Sequence, residues 1–136
     1  INGHSHLLPY PEDIPQFMKD KGIFWVDKDR KFMLQKDWSR PVTDSSFFLD
    51  EKLAWMEHNK IDHAVVLNLS QLYGNGLRVE EMKQALRFQN DFNAKVQRDN
   101  PSKFTTGFVV HPGFVRGACW EIERCVEELG MQLLCL

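Results

Sequence analysis

The sequence predicts an α/β fold in which parallel strands alternate with helices. Short apolar segments, such as the run from Ala64 to Leu67, alternate with longer segments whose apolar residues recur at helical spacing. This alternation is typical of βαβ units and a parallel sheet. Because such crossovers are right-handed, a doubly wound sheet and a (β/α)8 barrel are the two main arrangements. A closed barrel needs about 250 residues, and 136 residues supply half of one.

The first third of the chain predicts one strand followed by an insertion. Residues 1–8 favour a strand, after which prolines interrupt regular structure. The segment "IPQFMKDKG" predicts a short helix. The apolar runs 23–26 and 32–34 flank the polar turn "DKDR" and predict a β-hairpin. The remainder of this insertion, which spans residues 10–44, is predicted to be irregular.

The rest of the chain predicts three helices separated by strands. "DSSFFLDEKLAWMEHNK" begins with helix-capping residues at Asp44 to Ser46. The segment from Val79 to Asp99 predicts a long helix that "DNP" ends. "GACWEIERCVEELG" predicts the third helix, and "KFTTGFVV" and "MQLLCL" predict strands. The apolar face of the third helix is expected at Cys119, Ile122, Val126 and Leu129.

Composition excludes several classes of function. The chain is 43% hydrophobic and 26% charged, and its net charge is only -2, so nothing indicates a nucleic-acid partner or an anionic membrane. We expect a small-molecule substrate. The 3 cysteines form no CxxC pair, which favours reduced thiols and a cytoplasmic location. The chain lacks an initiator Met and stops inside an apolar run, so we expect more chain beyond one or both ends.

Two histidines, His4 and His6, lie one residue apart near the end of the first predicted strand. Side chains at i and i+2 on a strand point to the same side, so the two imidazoles project together. Neutral imidazole is the commonest metal ligand in proteins. Taken alone, an HxH pair more often marks hydrogen-bonded or surface histidines. Its position at the end of the first strand of a βα series favours a metal site, because barrel active sites lie at that end.

Four segments, in order, resemble a known family. "INGHSHLLP" resembles the first-strand metal motif of the amidohydrolase superfamily, and "LDEKLAWMEHNKIDHAVVLNLS" resembles its following helix and strand. "FQNDFNAKVQRDNPSKFTTGFVVHP" and "EIERCVEELGMQLLCL" are similar to the next helix–strand units. The resemblance covers nearly the whole chain. It is to the amidohydrolase-related branch that contains aminocarboxymuconate-semialdehyde decarboxylases and aromatic-acid decarboxylases.

The resemblance implies the N-terminal half of a (β/α)8 TIM barrel, about four βα units with a β-hairpin insertion after the first strand. It further implies one divalent metal ion, most often zinc, with His4 and His6 as two of its ligands. The remaining ligands and the acid/base histidine of the family follow later strands, so catalytic residues are expected beyond residue 136. Asn2 stands where an acid is common in the family.

The insertion of related decarboxylases provides an arginine that binds a substrate carboxylate. Aligning the hairpin places Met33 or Leu34 at that position, whereas aligning back from Met56 without a gap places Arg40 there. Further candidates for substrate binding are the pocket-mouth residues Asn68 and His111, and Trp38 in the insertion. Each has an ordinary structural alternative: loop capping, a histidine positioned by a proline, or a small core under the insertion.

The sequence therefore predicts a metal-dependent hydrolase or non-oxidative decarboxylase acting on a small carboxylated cyclic or conjugated substrate. One alternative is an HxH phosphoesterase or DNase-like barrel, against which the balanced charge argues. The other is an inactive half-barrel that needs its missing C-terminal half. Because half a barrel exposes sheet edges, a homodimer is also expected.

Overall fold

The computed structural model describes residues 1–42, 46–69 and 76–135. Its strands form two sheets, and their bounds are β1 Asn2–Leu7, β2 Trp25–Val26, β3 Phe32–Gln35, β4 Trp38–Pro41, β5 Ser46–Phe47, β6 Ala64–Val66, β7 Phe104–Val109 and β8 Leu133–Cys135. The helices are α1 Gln16–Asp20, α2 Leu49–His58, α3 Val79–Asp99 and α4 Val115–Glu123, and α4 continues as a π-helical turn over Arg124–Glu128. No helix in these ranges is long and apolar enough to cross a membrane.

The larger sheet has five strands in the order β5-β1-β6-β7-β8, and every pairing in it is parallel. Helices α2, α3 and α4 follow β5, β6 and β7 in the chain. This arrangement confirms the predicted α/β class with a parallel sheet. The long helix begins and ends at the residues that its apolar spacing predicts, Val79 and Asp99.

The smaller sheet is an antiparallel meander of β2, β3 and β4 within the insertion. The sequence predicts strands at β2 and β3 but irregular structure at β4, and that second prediction is wrong. Pro41 makes β4 hard to recognise, because proline lacks the N–H that a central strand needs. It is tolerated here since β4 is an edge strand. The meander packs on an apolar cluster that includes Leu8, which follows β1, and Leu69, which lies after β6.

Helix α2 begins later than its capping residues predict. The N-cap is Phe48, whose backbone N–H donates to Glu51 Oε2 at 3.3 Å. Ser46 is instead part of β5, which pairs with the end of β1, and Asp44 lies outside the described residues. Pairing with β1 satisfies the backbone of this segment, so the helix starts only after the strand ends.

The apolar face of α4 and its π-helical turn includes two of the four expected residues, Ile122 and Leu129, and the other two positions are each occupied by the preceding residue. Ala118, Ile122, Cys125 and Leu129 pack on the core, whereas Cys119 and Val126 are exposed. Both sets of positions fit helical spacing, so periodicity cannot distinguish two adjacent apolar stripes. Cys119 and Cys125 are free thiols, as the absence of a CxxC pair predicts.

Candidate metal and substrate site

A bulge in β1 positions the two histidines. Asn2 pairs with Ala64 and Ser5 with Val66, so three steps along β1 match two along β6. Such bulges turn a side chain away from its regular direction and are frequent beside active sites. Ser5 and Leu7 are buried. His4 is exposed and His6 is half-buried, and their ring centroids lie 4.9 Å apart in an edge-to-face arrangement.

The ring nitrogens of the pair are oriented for a shared ligand. His6 Nδ1 lies 2.9 Å from the backbone oxygen of Leu67. A carbonyl only accepts hydrogen bonds, so Nδ1 carries the proton and the neutral ring has an unprotonated Nε2. That Nε2 lies 3.2 Å from His4 Nε2. His6 Nε2 is thus able to accept a hydrogen bond from a protonated Nε2 of His4.

The separation of the two Nε2 atoms fits a common metal ion. Two nitrogens bound about 2.0–2.1 Å from zinc at a near-tetrahedral angle lie about 3.3 Å apart. The separation in this protein is 3.2 Å. A carbonyl partner on the other ring nitrogen is also the usual arrangement for a metal-ligating histidine, since it fixes the tautomer and ring orientation.

Electrostatics also favour a neutral His6. Burial lowers its pKa, the Leu67 carbonyl opposes that shift, and the neighbouring His4 adds to it. A lowered pKa leaves the imidazole unprotonated at neutral pH, which metal binding requires.

The pair supplies only part of a coordination shell. Within the described residues, no group of three or more His, Cys, Asp or Glu side chains could hold a metal ion. Asn2 Oδ1 accepts a hydrogen bond from the backbone N–H of His4 at 3.3 Å. It therefore stabilises the local backbone, and in the described part of the chain no hydrogen bond joins its side chain to either imidazole ring.

Asn68 follows β6 and sits one residue beyond the carbonyl that holds His6. Its side chain is buried, and neither its Oδ1 nor its Nδ2 has a hydrogen-bond partner among the described residues. A buried amide without partners is costly and calls for an explanation. Its role in substrate binding stays a prediction.

The remaining candidates lie in two other places. Arg40, in β4, is exposed and pairs directly with Met33 of β3. Two of the three positions that the sequence left open are thus cross-strand neighbours, and the third, Leu34, pairs with Ser39. Trp38 is partly buried against the apolar cluster under the insertion. His111 lines a cleft between α3 and α4, and no hydrogen bond in the described part of the chain joins it to the histidine pair.

Sequence reasoning missed the Leu67 carbonyl that orients His6. It is a backbone group, so residue type carries no signal for it. Sequence reasoning also missed the polar residues of α3 that bind β7. Asn90 Nδ2 donates to the Val109 oxygen, and the Val109 N–H donates to Asn90 Oδ1, both at 2.9 Å. The sequence does contain a signal for these contacts, because polar residues within the apolar face of a long helix indicate buried hydrogen bonds to a neighbouring element.

Solved structures define the class of fold. The chain superposes on an amidohydrolase II with a TM-score of 0.64 and 13% identity, over 96% of this chain and 37% of that one. The superposition on 5-carboxyvanillate decarboxylase from Sphingomonas paucimobilis has a TM-score of 0.58 and 25% identity, and it covers 64% of this chain and 26% of that one. A third solved structure is a dihydroxybenzoic acid decarboxylase from Polaromonas sp. JS666 with bound manganese and the inhibitor 2-nitroresorcinol. The chain superposes on it with a TM-score of 0.60 and 16% identity, over 96% of this chain and 37% of that one.

The chain is also similar in sequence to a curated decarboxylase. The chain is 22% identical over 138 aligned residues to 2-amino-3-carboxymuconate-6-semialdehyde decarboxylase of Dictyostelium discoideum, covering 96% of this chain and 38% of the relative. No protein-family model matches. The resemblance seen in the sequence is thus confirmed: the chain is similar to part of the decarboxylases of the amidohydrolase superfamily. It spans little more than a third of the length of that curated relative.

Proposed function

We propose that this chain contributes two ligands of a divalent-metal site in a non-oxidative decarboxylase. The observation that carries the proposal is the 3.2 Å separation of His4 Nε2 and His6 Nε2, with the Leu67 carbonyl fixing the tautomer of His6. The names of the relatives favour decarboxylation over hydrolysis. They also favour a small aromatic or conjugated acid as the substrate.

The donor set is compatible with several divalent ions. Imidazole suits zinc and other first-row metals, and one solved relative contains manganese. Zinc and manganese are therefore both candidates for this site. A bound divalent ion would polarise a carboxylate or phenolic oxygen of the substrate.

Arg40 is the proposed ligand of the substrate carboxylate. Directly opposed residues of an antiparallel pair share one face, so Arg40 projects from the same face of the meander as Met33. Met33 is buried in the cluster that contains Leu8, which follows β1. Arg40 has no ion pair with any residue described in the structure. Its planar guanidinium is suited to binding a carboxylate through two hydrogen bonds.

Asn68 is proposed to hydrogen-bond the substrate or a water molecule beside it. Its buried amide lacks partners among the described residues, and it directly follows the residue that orients His6. Trp38 is proposed as part of the apolar cover of the site, held in place by its packing against the insertion cluster. Because the histidine pair leaves most of the coordination shell to other groups, we expect these 136 residues alone to be inactive.

The proposed activity is tested by following CO2 release from metal-loaded protein in which this chain is combined with the groups that complete its coordination shell. The substrates are 5-carboxyvanillate, 2,6-dihydroxybenzoate and 2-amino-3-carboxymuconate semialdehyde, with a lactone and a phosphodiester as alternatives. We expect CO2 release from at least one acid, lost in His6→Ala and kept in the control His58→Ala, which changes an exposed residue at the end of α2. Turnover of only the lactone or the phosphodiester would replace the decarboxylase proposal with one of the two alternatives.

A further inference from the structure

A cleft of about 240 Å³ lies between α3 and α4, beside the end of β7. The proposed decarboxylase site makes no use of it. Its apolar lining comes from both helices and from the segment that joins β7 to α4: Met82, Leu86, Val110, Phe114 and Trp120. Trp120 is exposed over 61% of its surface, so it forms an outer wall.

Two of the cations that line the cleft are already paired. Arg124 is largely buried and binds Glu121 and Asp91, each with an N–O distance of 2.6 Å. Lys83 donates to Glu80 at 2.7 Å, and its Nζ lies 4.8 Å from the centre of the Phe114 ring. Because their charges are already balanced by carboxylates, neither Arg124 nor Lys83 offers an uncompensated positive charge to a ligand.

Arg87 and His111 supply the polar groups that remain available. Arg87 is exposed at the cleft and forms no ion pair or hydrogen bond with any residue that the structure describes. His111 Nδ1 accepts a hydrogen bond from the backbone N–H of Gly113 at 3.1 Å. The neutral imidazole therefore carries its proton on Nε2 and can donate it. Together they provide one positive charge and one neutral donor.

We propose that this cleft binds a small organic monoanion with one aromatic ring, such as an aryl carboxylate. The ring packs against Phe114 and Trp120, and the carboxylate is bound by Arg87 and His111. The volume of the cleft is below the usual range of about 300–1,000 Å³ for drug-sized ligands, so it suits a single ring. One unpaired cation, Arg87, can neutralise a monoanion, whereas a dianion such as a phosphate monoester would leave one charge uncompensated beside the Glu121 carboxylate.

The test is a titration of the protein with 4-fluorobenzoate, followed by the 19F linewidth of the probe. It is carried out on the His6→Ala variant, because an aryl carboxylate is also a substrate-like ligand for the proposed metal site. Arg87→Gln removes the unpaired cation, and Trp120→Ala removes the apolar wall. Arg116→Gln is the matched control, since Arg116 is an exposed arginine of α4 outside the cleft lining.

We expect saturable binding in the His6→Ala background. Arg87→Gln should weaken it about fivefold, as expected for losing one charge-assisted hydrogen bond at a partly exposed site. Trp120→Ala should also weaken it, and Arg116→Gln should leave it unchanged. Loss of all binding in His6→Ala would assign the probe to the histidine pair and overturn the proposal. So would equal effects of Arg87→Gln and Arg116→Gln, or a linewidth that does not saturate.

Discussion

Replacing Asn90 by alanine should destabilise the protein strongly, although no hydrogen bond in the described part of the chain joins Asn90 to the histidine pair or to a substrate candidate. Asn90 is fully buried in α3 and binds both the N–H and the oxygen of Val109 at 2.9 Å. β6 ends at Val66, opposite Thr106, so the last residues of β7 extend beyond it. β8 pairs with β7 on the other edge, where Cys135 lies opposite Val109. The Asn90 amide supplies the two hydrogen bonds that β6 is too short to make.

The expected loss follows from those two hydrogen bonds. In Asn90→Ala two buried backbone groups lose their partners, and each unsatisfied group costs about 1–3 kcal/mol. The free energy of unfolding should therefore fall by about 2–6 kcal/mol. The Glu121 carboxylate also loses a donor, since Asn90 Nδ2 lies 2.9 Å from its Oε1.

Urea denaturation followed by circular dichroism measures this loss. The matched control is Gln84→Ala, which truncates an exposed amide on the same helix and should change stability by less than about 0.5 kcal/mol. If Asn90→Ala lowered the free energy of unfolding by less than about 1 kcal/mol, with the slope of that free energy against urea concentration unchanged, the role assigned to Asn90 would be refuted.

Other predictions concern acid stability and thiol reactivity. Burial alone would raise the pKa of Glu121, but hydrogen bonds from Arg124 and Asn90 outweigh it and lower the pKa. The resulting stabilisation is complete above the unfolded pKa of about 4.3 and is lost as the pH falls through the lower pKa of the folded state. In Glu121→Gln the urea midpoint should therefore depend less on pH between about pH 2 and 5 than it does in the unmodified protein. Burial raises the pKa of Cys125 to about 12, whereas Cys119 is exposed. Iodoacetamide followed by mass spectrometry should therefore label Cys119 in the folded protein and Cys125 only after unfolding. Equal labelling rates for the two thiols would contradict the placement of α4.

Local patterns predicted much of the fold. The regular apolar spacing of α3 and the β-branched run of β6 each allow only one interpretation, and the structure contains both elements. The predictions that were wrong depend on tertiary partners. β4 exists because it pairs with β3 despite Pro41, and Ser46 joins β5 because the end of β1 has a free edge. Neither effect is visible in residue type alone.

The sequence predicted which two histidines form the candidate site, but not the contacts that orient them. The HxH spacing was enough to propose that His4 and His6 act together, and the structure places their Nε2 atoms 3.2 Å apart. The orientation of His6 depends on a backbone carbonyl, and the position of Arg40 opposite Met33 depends on strand register. Both are products of folding that no short motif encodes.

The central claim is that His4 and His6 bind a divalent metal ion. It is tested most directly by dialysing the protein against zinc or manganese and measuring the bound metal by mass spectrometry. We expect one ion per chain, with the affinity at least about 100-fold lower in His6→Ala and unchanged in His58→Ala. Stoichiometric metal at full affinity in both His4→Ala and His6→Ala would contradict the claim.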